Sequence, residues 1–101
     1  MAIGYLPFWK PKEGESIEAK LIDWNINVDC GVFILKNGEK FLIGGVQLKN
    51  MWYGTGSDGH ITLYEWYKIT YVGKRETKKG YFMNYYEVKY IKDGTLDKTP
   101  N

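Results

Sequence analysis

Between Gly73 and Gly80 the chain reads Lys74-Arg75-Glu76-Thr77-Lys78-Lys79, four cations and one carboxylate within six residues. Such a segment suits phosphate: a cationic loop follows a sugar-phosphate backbone by charge density and needs no fixed geometry. Immediately after it comes an aromatic-rich run, 81–91 (YFMNYYEVKYI). In an extended strand Tyr81, Met83, Tyr85, Glu87 and Lys89 share one face, and Phe82, Asn84, Tyr86, Val88 and Tyr90 the other. The second set is the more apolar and is expected inward, Asn84 excepted. Tyr81 and Tyr85 then face water beside the cations. Rings next to cations on an open face are what sequence-tolerant binding of a single strand requires, because every base has a π-face.

Three further side chains join this candidate set. In the run 61–73, Tyr67, Ile69 and Tyr71 are expected inward, with Trp66, Lys68 and Thr70 outward. Trp24 ends an earlier alternating segment, facing away from its apolar side, just before the connection 25–29. It is placed there to stack a base. The candidate nucleic-acid-binding residues are therefore Trp24, Trp66, Lys68, Lys74, Arg75, Lys78, Lys79, Tyr81 and Tyr85. Lys36 and Lys40 would enlarge the positive face. Each has an ordinary structural alternative, since rings can cover a thin core and lysines can simply solvate a turn.

Catalysis has no comparable foundation. The carboxylates are scattered, and neither an HxxxH, a GxSxG nor a P-loop pattern occurs. One cysteine, Cys30, and one histidine, His60, provide neither an internal disulfide nor a zinc ligand set. An enzyme, a cofactor, a metal and a small-molecule substrate are all disfavoured.

The elements that must position these residues are β throughout. Segment 16–26 alternates, with Ile17, Ala19 and Leu21 on one side. The short apolar run 30–36 is followed by Asn37-Gly38, which predicts a type I′ hairpin to a strand over 40–45. Residues 46–51 offer a single helical turn, and Met51, Trp52 and Tyr53 are expected to plug one end of the core. A turn-rich loop leads to strands 61–73 and 81–91, and the tail 92–101 is expected to fray. Five strands with a break after the third predict an all-β fold, a five-stranded antiparallel OB-fold-like barrel with at most a short helical turn between strands three and four. The whole chain of 101 residues is one such domain, with 1–13 as an N-terminal extension.

Composition bounds the rest. Seventeen rings (four Trp, nine Tyr, four Phe) are more than so small a core can hide, while the net charge is only +2. Any case for nucleic acid must therefore rest on where the charges sit. No apolar run reaches the ~20 residues of a membrane helix, and the N-terminus lacks the apolar stretch of a secretory signal, so a cytoplasmic protein is expected.

Two stretches carry a resemblance. Phe8-Trp9-Lys10-Pro11-Lys12-Glu13-Gly14, running on through Leu21, and Tyr67-Lys68-Ile69-Thr70-Tyr71-Val72-Gly73-Lys74, with Thr77-Lys78-Lys79-Gly80 and Tyr85-Tyr86-Glu87-Val88, resemble a group of small phage-type single-stranded DNA-binding proteins of OB-fold architecture. Together they cover about a third of the chain, and the segment 46–60 departs from the pattern. The resemblance implies protection of single-stranded DNA in replication or recombination, inside the host cytoplasm, with Lys68, Lys74, Lys78, Lys79 and Tyr85 at matching positions. RNA binding, or a protein-interaction barrel acting as a homodimer or docking module, shares the same sequence features and stays open.

Overall fold

Alternation in the first long segment builds the strand on which the sheet is organised. In the computed structural model, which describes residues 6–92, this is β1 (Ser16–Asn25), followed by β2 (Cys30–Leu35), β3 (Lys40–Gly44), α1 (Val46–Tyr53), β4 (Trp66–Glu76) and β5 (Phe82–Ile91). The five strands form one antiparallel sheet in the order β3-β2-β1-β4-β5. The expected five-stranded, all-antiparallel β arrangement is present, with one short helix between the third and fourth strands. Residues 1–5 of the expected N-terminal extension, and the tail beyond Lys92, lie outside the described residues. No helix among the described residues is long and apolar enough to cross a membrane.

The sheet does not close into a barrel. Two other pieces occupy the gap between β3 and β5. Residues 7–9 run parallel to β3, with Trp9 N–H donating to Leu42 O at 2.9 Å and Leu42 N–H to Pro7 O at 2.8 Å. Across the gap the Trp9 ring lies 6.1 Å from that of Tyr86 on β5. On the β5 side, buried Gln47 of α1 donates to Tyr86 O and accepts from Tyr86 N–H, both at 2.7 Å. Its amide thus stands in for a strand residue and satisfies the edge where a neighbouring strand would have done so.

Both tight hairpins use the same turn. Leu35 N–H donates to Glu39 O and Gly38 N–H to Leu35 O, leaving Lys36-Asn37-Gly38 as a three-residue loop. Of these only Gly38 has a positive φ. The predicted strand pairing is present, but the type I′ turn is not. A type I turn ending in a left-handed glycine matches strand twist equally well and needs only one positive φ. α1 is two turns rather than one, stopped by Gly54 in the left-handed conformation with its N–H on Asn50 O. Its Leu48 and Met51 join Ala19, Leu21, Phe33, Ile43 and Ile69 in the core. Trp52 packs against that core, whereas Tyr53 is exposed.

The fourth strand begins five residues later than expected. Tyr64 takes a positive φ and its N–H donates to Leu21 O, so 61–65 forms a turn, although Ile61 still inserts into the core. The strand also ends later, so that Lys74, Arg75 and Glu76 belong to β4 and not to a loop.

Candidate nucleic-acid interface

β4 and β5 outrun the rest of the sheet. β1 accompanies β4 only over 66–70, whereas β5 pairs with it as far as Glu76 opposite Phe82. The residues beyond form a two-stranded arm without a third strand beside it. Its tip repeats the turn described above: Thr77 N–H donates to Tyr81 O, Gly80 N–H to Thr77 O, and Gly80 has a φ of 86°. The cations expected on a loose loop are therefore distributed along a built hairpin, with Lys74 and Arg75 on the strand and Lys78 and Lys79 in the turn.

With no layer to bury either face, the arm exposes rings on both. Tyr81 is 69% exposed, as expected, but so is Phe82 at 68%, which alternation had assigned inward. Tyr90, also expected inside, is 60% exposed with its ring against the edge of Tyr67 at 6.0 Å. Among the described residues no carboxylate lies within ion-pair distance of Lys74, Arg75, Lys78 or Lys79; the one ion pair joins Lys49 to Asp29.

At the root of the arm β4 carries a bulge at Val72, so Tyr71 faces Tyr86 but Gly73 faces Tyr85. The bulge moves Arg75 onto the face of Tyr85, and its guanidinium carbon lies 4.0 Å from the centre of that ring. Gly73 has a φ of 118°, so its conformation favours glycine, and a Cβ built there would also come 2.5 Å from a carboxylate oxygen of the exposed Glu13, which would have to move aside. The Tyr85 hydroxyl donates to Asp58 Oδ1 at 3.1 Å, tying the arm to the loop after α1. That bond, with smaller contributions from burial and from the Asp58 charge, raises the Tyr85 pKa above the ordinary tyrosine value. Tyr85 is thus half-exposed with one face already stacked, not an open platform.

Two of the expected residues lie elsewhere. Trp24 was expected to face a bound base, but it is 6% exposed and belongs to the core. A bulge at Ile22 shifts the register between Leu21 and Asp23 and reverses the face of everything after it. The indole stacks on Trp52 at 5.1 Å with 3° between planes and donates from Nε1 to Asp29 Oδ1 at 2.9 Å. Trp66 is half-buried at the opposite end of β4 from the tip, about 33 Å along the strand. There the ammonium groups of Lys20 and Lys36 lie 5.8 and 5.9 Å from its ring. Lys68, opposite both Glu18 and Lys89, is also away from the arm. Lys74, Arg75, Lys78, Lys79, Tyr81 and Tyr85 remain together, and Phe82 and Asp58 join them. Neither gave a signal in the sequence: the expected strands 16–26, 61–73 and 81–91 are of similar length, and Asp58 is brought in by tertiary placement.

A separate hollow of about 790 Å³ lies over the other side of β1–β3, lined chiefly by Leu6, Phe8, Ile22, Val28, Val32 and Leu42. No protein-family model, curated protein or solved structure matches this chain.

Proposed function

We propose that this chain binds single-stranded DNA with little sequence preference and acts in replication or recombination. The observation that carries the reading is the projecting arm, on which four cations, without ion-pair partners among the described residues, stand beside the open rings of Tyr81 and Phe82. Lys74, Lys78 and Lys79 hold phosphates, and the rings stack bases at about 1–3 kcal/mol each. An exposed two-stranded arm can reach a flexible single strand from both faces, which a flat sheet cannot.

Anisotropy of a labelled oligo-dT of about thirty nucleotides, long enough for the ~4–16 nucleotides one such domain covers, tests this directly. Binding should weaken with log salt at a slope of about 0.7 per phosphate neutralised. Duplex DNA of matched length should bind less well, and matched RNA separates the two polymers. A flat titration at low salt would remove the proposal. One observation favours a second reading: the apolar hollow under Leu6 and Phe8 has the character of a protein-docking surface. Sedimentation distinguishes them, since a dimer indifferent to DNA supports docking.

A further inference from the structure

The Arg75–Tyr85 pair borders a hollow of about 520 Å³ at the root of the arm, whose lining includes Met51, Asp58, Glu87 and Val88. Building on the single-strand reading above, we infer that this hollow receives one base of the bound strand and selects guanine there.

Three features fix the ligand class. The first is the stacking plane. The central carbon of the Arg75 guanidinium lies over the Tyr85 ring, 4.0 Å from its centre, and the residue is exposed. A guanidinium stacked on one ring offers its other face to a second planar π-system. The second is charge. Asp58 and Glu87 repel phosphate, so the sugar-phosphate chain keeps to Lys74, Lys78 and Lys79 while the base turns in. The third is hydrogen-bonding sense. The Gln47 amide is engaged at both ends by the backbone of Tyr86. Asp58 uses one oxygen on Tyr85, and Glu87 has no hydrogen bond or ion pair among the described residues. The Arg75 N–H groups point along the plane of the guanidinium and not at a base lying on its face, so what the remaining side chains offer such a base is acceptor only, because ionised carboxylates cannot donate. Guanine is the base that presents two adjacent donors, N1–H and the N2 amino group, in the spacing a carboxylate accepts.

The test compares two strands that differ by that amino group alone: oligo-dT with interspersed guanines, and the same strand with hypoxanthine in their place. The wild-type chain should bind the guanine strand roughly two- to tenfold more tightly, the value of one added hydrogen bond. The double variant Asp58→Ala, Glu87→Ala should bring that ratio to about one while still binding plain oligo-dT. Glu87→Ala alone, at an exposed position, should cut the ratio by about half or more, and it serves where the double variant melts early. Equal wild-type affinity for the two strands, or a ratio that survives the variants, overturns the inference while leaving the single-strand reading intact. Failure of every strand, plain oligo-dT included, overturns that reading itself and the base site with it.

Discussion

β1 and β4 each carry one bulge, and the two have opposite consequences. The extra residue at Ile22 turns Trp24 from the outside to the inside, where it stacks on Trp52 and becomes part of the core. The extra residue at Val72 turns Arg75 away from the core face and onto Tyr85. Strand side chains alternate with a period of two, so one inserted residue reverses every facing that follows. The same device supplies an aromatic to the body and a cation to the arm. What differs is the surroundings: Trp52 of α1 packs on Trp24 beyond the first bulge, and among the described residues no further strand lies beside the arm beyond the second.

The comparison breaks first at Trp24. Trp24→Ala should cost about 3–5 kcal/mol of unfolding free energy, the range for a large aromatic removed from a packed core. Phe82→Ala and Tyr81→Ala on the arm should stay within about 0.5 kcal/mol of wild type. Urea denaturation measures all three. If the arm variants proved as costly as Trp24→Ala, the arm would be part of the packed body. Gly73→Ala comes next. The left-handed φ and the Glu13 carboxylate both oppose a methyl group, and a loss of about 1–2 kcal/mol is expected. Arg75→Lys sharpens the second bulge further. The charge is kept, so the salt slope of oligo-dT binding should not change, but the planar stack on Tyr85 is lost. Affinity should fall by about 0.5–1 kcal/mol at unchanged stability. Unchanged affinity and unchanged slope in that variant would show that Arg75 acts as a point charge alone.

These bulges also mark where sequence reasoning stops. Glycine placement made the hairpins at 36–38 and 78–80 legible, and alternation in 16–21 and 67–71 placed Ala19, Leu21, Tyr67 and Ile69 inside. Inserted residues such as Ile22 and Val72 are ordinary β-formers, and nothing in their chemistry announces the slip. Exposure on the arm was hidden for a different reason. Phe82 reads as an inward residue in any strand that has a layer behind it, and only the unequal pairing lengths of β1 and β5 along β4 remove that layer. The late start of β4 has a third cause. Ile61 and Leu63 alternate like a strand, yet Ile61 reaches the core from a turn. The pairing of Tyr85 with Asp58 spans loop and strand and depends wholly on tertiary placement.

The two regions should also fail at opposite ends of the pH scale. In the body, the Trp24 indole donates to Asp29, and Lys49 and the Tyr53 hydroxyl approach the same carboxylate. Together they hold the Asp29 pKa below the ordinary carboxylate value, the indole bond being the largest cause, against a smaller opposing effect of burial. A depressed acid contributes stability that is complete above its unfolded pKa and is lost as pH falls through its folded one. On the arm, the raised Tyr85 pKa gives the reverse: its contribution is complete below the ordinary tyrosine value and is lost as pH rises through the folded one. Acid should therefore perturb the near-ultraviolet dichroism of the Trp24–Trp52 stack while Tyr85 remains a phenol. Alkali should ionise Tyr85 only above the ordinary tyrosine value, visibly in tyrosinate absorbance, with the tryptophan stack unchanged. Asp29→Asn keeps an oxygen for the indole but has no proton to gain, so the acid change in dichroism should disappear. Its persistence in that variant would place the acid-sensitive group elsewhere. Asp58→Asn should likewise bring the Tyr85 titration back toward the ordinary tyrosine value, and an unchanged alkaline profile would dissociate the arm from the loop after α1.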